Sequence, residues 1–241
     1  MTSVVSYGAG TNSTAMLVGL CERGERPDLI LFADTGGERP ETYRHLDTVS
    51  GWCERVGFPM IVTVREMETL EANCLRRKAL PGIAYGIKSC SEHYKGRPQK
   101  RWLKEKGITD PWFWIGIDAG EAYRAKYTEI RYPLIEWDWG RDECVEAITR
   151  AGLPQPGKSA CFFCPSSKAK EILQLKRQHP ALLQRALDME ANADLTMVRG
   201  LGRSFAWFDL VKYDDAQSDM FGFSPEIPCE CFDGEPQEEG Q

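Results

Sequence analysis

Four short apolar runs stand out in the first half of the chain. Each is of the kind that lies buried in a parallel sheet: SVVSY (residues 3–7), DLILFAD (28–34), PMIVTV (59–64) and WFWIGI (112–117). Helix-like stretches separate them, at about 13–24, 40–56 and 97–106. Strands that alternate with helices predict right-handed crossovers and an open, mainly parallel sheet with helices on both faces. The predicted fold class is therefore α/β and Rossmann-like, with ligands at the carboxyl ends of the strands.

The pattern changes to helices after about residue 140. RDECVEAITRAG (141–152) and the stretch 168–193 have helical spacing, and the second is expected to break at Pro180, which cannot donate a helical hydrogen bond. We therefore predict an α/β domain over 1–155, a helical C-terminal region with a Cys-x-x-Cys pair over 156–232, and a disordered acidic tail over 233–241.

Composition narrows the class of protein. The chain has 241 residues, is 42% hydrophobic and contains no apolar run near the ~18 residues that span a bilayer. Its N-terminus lacks the features of a signal peptide. A cytoplasmic protein without membrane contact is therefore expected. Its nine cysteines are an odd number, which argues against a disulfide framework and favours thiols or metal ligands. The net charge of −6 falls to about −2 without the tail's four acids, which excludes a general polyanion binder.

Basic residues concentrate in one segment, 75–104. This segment contains nine Lys or Arg residues against the single acid Glu92. Such an excess attracts phosphate or sulfate groups, although a solvated basic face would have the same composition.

A glycine turn follows the first predicted strand, in the stretch SYGAGTNSTAM (6–16). A turn of this kind leaves backbone N–H groups free at the start of a helix, where the helix dipole adds positive potential, so a phosphate fits there. Thr11, Ser13 and Thr14 add hydroxyl donors. The spacing matches neither G-x-G-x-x-G nor the Walker pattern.

A second polar loop follows the second predicted strand, in FADTGGERPETYRHL (32–46). Asp34 and Thr35 end that strand, and Pro40 stands near the start of a helix. The two loops should lie side by side on one edge of the sheet. Asp34 or Thr35 could instead cap the helix.

Taken in order, these segments resemble the phosphoadenosine phosphosulfate (PAPS) reductase family, within the PP-loop group of adenine-nucleotide alpha hydrolases. Besides the two loops, the matching stretches are KSCSEHYKGRPQKRWL (88–103), IGIDAGEAYRA (115–125), YPLIEWDWGRDECVEAI (132–148) and KSACFFCP (158–165). The resemblance implies that residues 1–155 form the alpha hydrolase-like domain and bind an adenine nucleotide: PAPS, adenylyl sulfate (APS) or ATP.

The resemblance also assigns expected roles to residues. Those expected along the nucleotide are Ser6, Gly8, Gly10, Thr11, Asn12, Ser13, Asp34, Thr35 and Gly36, and those expected at its phosphate or sulfate are Lys88, Arg97, Arg101 and Arg124. The ATP-cleaving branch has a Lys and an Asp where this chain has Thr11 and Asn12, so the turn is closer to the reductase version.

Cysteines form the next group of candidates. CFFC (161–164) and CSEH (90–93) each place two metal-ligating side chains at the same spacing, so Cys90, His93, Cys161 and Cys164 could hold zinc, or the three cysteines could hold an iron–sulfur cluster. The resemblance favours a [4Fe–4S] cluster, with Ser89 in place of one family cysteine. Cys161 and Cys164 could also be buried apolar residues, which is the preferred interpretation for the remaining cysteines outside the C-terminus: Cys21, Cys53, Cys74 and Cys144.

Three functions follow as hypotheses. The first is sulfur chemistry on an adenylyl sulfate or a related sulfur transfer. The C-terminal motif of the family's reductases would make Cys231 the nucleophile, although only Glu230 and Cys231 match that motif. Cys229 or Cys231 could instead be further metal ligands. The second is cleavage of ATP, with Mg²⁺, to activate an acceptor such as a nucleic acid for thiolation. The third is a non-catalytic nucleotide-binding module with structural zinc. The partners implied are a small-molecule nucleotide and either a thiol reductant or a nucleic-acid acceptor. The stretch RGLGRSF (199–205) would either close over the nucleotide or be a plain loop.

Overall fold

A four-stranded sheet forms the centre of the molecule. The computed structural model describes residues 1–87 and 89–221. Its strands are β1 (Thr2–Tyr7), β2 (Leu29–Asp34), β3 (Ile61–Arg65) and β4 (Pro111–Ile115). They pair in the order β3-β2-β1-β4, and every pairing is parallel. The α/β prediction is confirmed, and each predicted strand is found within a few residues of its expected limits.

Helices connect the strands and continue after β4. They are α1 (Thr11–Glu22), α2 (Pro40–Arg55), α3 (Leu70–Arg76), α4 (Ser89–Ser91), α5 (Arg97–Glu105), α6 (Pro133–Glu136), α7 (Arg141–Arg150), α8 (Ala169–Gln178), α9 (Pro180–Asn192) and α10 (Trp207–Phe221). Shorter helical turns cover Gly82–Tyr85, Glu92–Gly96 and Ala119–Arg124. In the described part of the chain, no helix is both long and apolar enough to cross a membrane.

Each face of the sheet is covered by its own helices. On one face, α1, α2 and α7 bury their apolar side chains against Val5 and Tyr7 of β1 and their neighbours on β2 and β4. On the other face, Leu103 of α5 packs on Val4 and Leu31. Alternate residues of a strand point to opposite faces, so Val4 and Val5 contribute to different cores.

The C-terminal helices form a third apolar cluster beside the sheet. It includes Phe162 and Phe163 from the Cys-x-x-Cys segment, together with side chains of α3, α8 and α9. The predicted break falls where expected, because α8 ends at Gln178 and Pro180 opens α9. The helical stretches Leu70–Arg76, Ser89–Gly96 and Trp207–Phe221 were missed by the sequence pattern.

A buried carboxylate organises the loop 199–205. Glu190 is 6% exposed and accepts hydrogen bonds from the backbone N–H groups of Leu201, Trp207 and Phe208 at 2.6–2.9 Å. Two of these donors belong to the first turn of α10, which has no helical acceptor for them. The same carboxylate therefore fixes both the loop and the beginning of the last described helix.

Candidate functional site

The glycine turn between β1 and α1 has the form that an anion site needs. Ala9 adopts a left-handed conformation (φ 53°), and the Ser13 hydroxyl closes the turn by donating to the Gly10 carbonyl oxygen at 3.1 Å. The first amides of α1, those of Thr11, Asn12 and Ser13, have no helical acceptor, and no other partner is found for them in the described structure. These N–H groups remain available to a phosphate or sulfate oxygen.

Thr14 does not contribute the ligand donor that its position in the sequence indicates. It is fully buried, and its hydroxyl lies 3.1 Å from both the Tyr7 hydroxyl and His45 Nε2. Burial lowers the pKa of His45, so the neutral imidazole is favoured. The three side chains instead tie β1, α1 and α2 together beneath the turn.

The loop after β2 is held by its own first residue. Asp34 Oδ1 accepts hydrogen bonds from the Gly36 amide and from the Tyr43 hydroxyl, both at 2.8 Å. Burial, together with the neighbouring Asp34 carboxylate, raises the pKa of Tyr43, so its hydroxyl stays protonated and continues to donate. Gly36 has φ +74°, a conformation that glycine adopts without strain.

The Cys-x-x-Cys segment lies directly on both loops. The Ser159 hydroxyl donates to the Gly8 carbonyl oxygen of the glycine turn. The Phe162 amide donates to the Gly37 carbonyl oxygen at 2.8 Å, and Cys161 Sγ lies 3.0 Å from Thr35 Oγ1. Cysteine sulfur and the free N–H groups of α1 thus share one edge of the sheet, although about 150 residues separate them in sequence.

The three candidate metal-ligating cysteines share one neighbourhood. Burial raises the pKa of the Cys161 thiol to about 12, and Cys164 adds to this effect. Burial and then Cys164 also raise the pKa of Cys90. His93 is exposed and borders, with Cys90, a cavity of about 210 Å³. Among the residues described, no three His, Cys, Asp or Glu side chains converge closely enough to hold a metal ion.

The other cysteines lie in apolar surroundings, as the sequence indicated. Cys53, Cys74 and Cys144 are buried, and Cys21, in the last turn of α1, packs at the edge of the core. Burial raises the thiol pKa of Cys53, Cys74 and Cys144 to about 12 in each case. These thiols therefore stay protonated at neutral pH.

Two buried charged residues in the second loop escaped the sequence reasoning. Glu38 is 5% exposed, both of its carboxylate oxygens lack a hydrogen-bond partner, and Lys95 Nζ lies 3.7 Å away. Burial raises the pKa of Glu38. Arg39 is 7% exposed, donates to the Glu171 carbonyl oxygen at 3.5 Å and leaves its Nε unpaired. The local sequence GERP (37–40) does not indicate that Glu38 and Arg39 will be buried, because the segment that buries them lies about 120 residues later in the chain.

The predicted anion-binding cations differ in their availability. Arg101 is paired with Glu66 at 2.6 Å, and Arg124 is paired with Glu121. Arg97 is exposed at the start of α5. Lys88 lies outside the described residues, as do Cys229, Cys231 and the acidic tail 233–241.

A contact that the sequence did not indicate joins the start of α1 to the loop after β4. Asn12 Nδ2 donates to Asp118 Oδ2 at 2.8 Å, and Asn12 Oδ1 is shielded from solvent without a partner. A Cβ atom on Gly116 would lie 2.8 Å from the Asn12 carbonyl oxygen, so the two backbones touch. Gln99 of α5 is 4% exposed and bonds to the Ser6 hydroxyl at 2.9 Å.

Comparison with known proteins gives matches at the level of structure. The structure is similar to two solved enzymes. One is the phosphoadenylyl-sulfate (PAPS) reductase of Candida auris in a phosphate complex, with 18% identity, a TM-score of 0.42 and coverage of 64% of this chain and 74% of that one. The other is the U34-tRNA thiolase NcsA of Methanococcus maripaludis with its [4Fe–4S] cluster, with 16% identity, a TM-score of 0.41 and coverage of 88% and 80%. No protein-family model and no curated protein matches the chain.

Proposed function

We propose that this protein is an enzyme that binds an adenine nucleotide at the carboxyl edge of its sheet and carries out sulfur chemistry beside it. The observation that carries the proposal is the position of the Cys-x-x-Cys segment. Ser159 bonds to the glycine turn, and Cys161 lies 3.0 Å from Thr35 in the neighbouring loop. An anion site and a group of cysteines on one edge are the parts that such chemistry requires.

The residues of the edge would share the work of binding. The free N–H groups of Thr11, Asn12 and Ser13 bind the phosphate or sulfate oxygens, and the dipole of α1 adds to their effect. Lys95, in the helical turn before α5, and Arg97, the first residue of α5, supply positive charge. Ser6, Asp34, Thr35 and Gly36 border the site at the ends of β1 and β2.

The first reaction we propose is the reduction of an adenylyl sulfate. A thiolate attacks the sulfate sulfur, a sulfur–sulfur bond forms, the bond from that sulfur to the phosphate oxygen breaks, and the nucleotide monophosphate leaves. A second thiol then attacks the bound sulfur-carrying cysteine, so that a disulfide forms and sulfite is released. Cys231 is the proposed nucleophile, from the sequence resemblance alone.

The second reaction that we propose is the activation of an acceptor by ATP. Its support is the set of free N–H groups at the start of α1, which suit a phosphate as well as a sulfate. Cleavage of ATP needs no protein thiolate: an oxygen of an acceptor such as a nucleic acid attacks the α-phosphorus, the bond from that phosphorus to the bridging oxygen breaks, and pyrophosphate leaves. Mg²⁺ would neutralise the charge of the leaving pyrophosphate. Sulfide would then attack the activated carbon of the acceptor, and AMP would leave with the acceptor oxygen.

We also propose that Cys90, Cys161 and Cys164 hold a [4Fe–4S] cluster, or zinc with His93 as a fourth ligand. Cysteine thiolates are the ligands that both centres prefer, and Cys164 lies near enough to Cys90 and to Cys161 to contribute to the raised pKa of each. Binding requires these side chains to turn toward a common point, because no three ligands converge in the described structure. A bound cluster would supply an iron atom for sulfur chemistry, whereas zinc would act structurally.

Two measurements on anaerobically purified protein test the proposal. The first is the binding of ATP, APS and PAPS by calorimetry, followed by assays for sulfite and pyrophosphate. The second is the content of iron, zinc and sulfide in the wild type, in Cys161→Ser and in the control Cys21→Ser, whose cysteine packs at the edge of the core. Nucleotide binding with product and a metal lost only from Cys161→Ser supports the proposal. Binding without product leaves the non-catalytic module, and the absence of nucleotide binding overturns the proposal.

A further inference from the structure

A side-chain pair bridges the crossover point of the sheet. β1 has β2 on one side and β4 on the other, so the chain leaves β1 in one direction and returns on the opposite side with β4. The loops that follow β1 and β4 face each other across this point, where open parallel sheets bind their ligands. Asn12 and Asp118 join them through a 2.8 Å hydrogen bond.

The bond fixes which atom of Asn12 is left over. Its amide nitrogen must face the Asp118 carboxylate, because the opposite orientation would place two oxygens against each other. Asn12 Oδ1 is consequently a hydrogen-bond acceptor, shielded from solvent and without a partner among the described residues. Asp118 is 7% exposed, and its other oxygen accepts from the Glu121 amide at 3.0 Å. An unpaired buried acceptor is costly unless a ligand donates to it.

We propose that Asn12 and Asp118 form an acceptor subsite for the ribose of the bound nucleotide, which selects adenosine nucleotides with free ribose hydroxyls against those that carry a 3′-phosphate. The inference rests on the proposed function, because it takes the α1 amides as the anchor of the 5′-phosphate. The backbone of Asn12 belongs to that anchor and its side chain to the acceptor pair. A nucleotide whose 5′-phosphate lies on these amides, with its β-phosphate or sulfate directed away from Asp118, would bring its ribose against the acceptor pair.

The chemistry of the pair explains the selection. A ribose hydroxyl donates a hydrogen bond to an amide or carboxylate oxygen, as it does to the acidic residue of dinucleotide-binding folds. A 3′-phosphate is acceptor-only when ionised, and it would bring further negative charge beside a buried carboxylate. The cation on the same loop, Arg124, is paired with Glu121. The subsite therefore favours ATP or APS as the substrate and disfavours PAPS.

Three stable nucleotides test the proposal on the full-length wild type by calorimetry: AMP, 3′-deoxy-AMP and adenosine 3′,5′-bisphosphate. We expect AMP to bind at least about tenfold more tightly than either of the others, because the deoxy compound loses a hydrogen bond and the bisphosphate adds repulsion. Titrations with ATP and with APS then show which of these two nucleotides, both with free ribose hydroxyls, binds more tightly. This comparison needs no variant, so a folding defect cannot obscure it.

The variant Asp118→Asn isolates the charge. Its shape matches the native residue, and we expect the preference for AMP over the bisphosphate to shrink about tenfold. Asp142→Asn, at an exposed carboxylate in the first turn of α7, is the matched control and should keep the wild-type ratio. A bisphosphate that binds the wild type as tightly as AMP overturns this inference and leaves the proposed function standing. If no adenine nucleotide binds at all, the proposed function itself is wrong and the inference falls with it.

Discussion

Ser159 donates its hydroxyl hydrogen to the carbonyl oxygen of Gly8, which lies 151 residues earlier in the chain. This bond fastens the cysteine-containing segment to the glycine turn, and a Cβ atom on Gly10 would already lie 3.3 Å from the Ser159 Cβ. The turn therefore does not hold its shape by local contacts alone. Its geometry depends on a segment that belongs to the C-terminal region of the chain.

Ser159→Ala removes this fastening without creating a clash. We expect nucleotide affinity to fall about three- to tenfold, because a typical intramolecular hydrogen bond contributes about 0.5–1.5 kcal/mol. Calorimetric titration with ATP or APS measures the change. Ser166→Ala, at an exposed serine of the same segment, serves as the control and should bind like the wild type. Equal affinities in the two variants would mean that the Ser159 contact does not shape the anion site.

Glu38→Gln should make the protein more stable at pH 8. The carboxylate is 5% exposed, lacks a hydrogen-bond partner on both oxygens, and has its pKa raised by burial. Glutamine keeps the shape and removes the buried charge, while Lys95, about 40% exposed, can turn to water. We expect a gain of about 1–2 kcal/mol in the free energy of unfolding by urea.

The control for this variant is Glu92→Gln, at an exposed carboxylate that lies 3.7 Å from Lys100. It should change the stability by less than about 0.5 kcal/mol. A loss of stability in Glu38→Gln would show that Lys95 compensates the Glu38 charge fully and that the pair stabilises the fold.

His45 predicts how stability depends on pH. Burial lowers its pKa below the ordinary value of 6.5, so the unfolded chain binds a proton at this site more readily than the folded chain does. Stability at neutral pH is therefore lost as the pH falls through about 6.5 and stops falling once the folded histidine is also protonated. Urea unfolding between pH 8 and pH 5 measures this slope.

His45→Gln should flatten the slope, although the loss of its bond to Thr14 also lowers stability throughout. In metal-free protein, His93→Gln, at an exposed histidine, should retain the wild-type slope. An unchanged slope in His45→Gln would assign the pH dependence to other groups.

Gly116→Ala should disrupt the contact between the loops after β1 and β4. The added Cβ would lie 2.8 Å from the Asn12 carbonyl oxygen and 3.0 Å from Ser13 Cα, and backbone atoms cannot turn away as a flexible side chain can. We expect a loss of about 1–3 kcal/mol in unfolding free energy and a clear loss of nucleotide affinity. Gly51→Ala, within α2, is the control and should be neutral or stabilising, because alanine favours a helix. Wild-type nucleotide binding by Gly116→Ala would exclude this contact from the site.

The sheet could be predicted from sequence because its strands carry their own signal. Each strand is a short apolar run that ends at glycine, proline or a charged residue, and the break before Pro180 follows from the missing N–H of proline. The stretch Leu70–Arg76 was missed for a physical reason. It is short, and its stability comes from Leu70 and Cys74 packing on the C-terminal cluster, which no local pattern reveals.

The residues of the candidate site show the same division between local signals, which the sequence reveals, and long-range contacts, which it does not. The positions of Gly8, Gly10 and Asp34 at the ends of β1 and β2 could be predicted, because loops at strand ends have a recognisable composition. Asp118 and Ser159 could not, since each acts through a partner more than 100 residues distant. The prediction that the Thr14 hydroxyl faces a ligand is wrong, because this side chain points into the core. The sequence shows that Thr14 lies in a helix, but it does not show which face of that helix is buried.

The pairing of β1 with β4 also determines the order in which the protein can fold during synthesis. β1 is an inner strand, and its partner on one side, beginning at Pro111 opposite Thr2, leaves the ribosome more than a hundred residues later. Until then β1 presents an unpaired edge, which is a template for unwanted strand pairing. The crevice between the loops after β1 and β4 therefore closes late, and a ligand that bridges these two loops would favour the completed sheet over the open-edged intermediate.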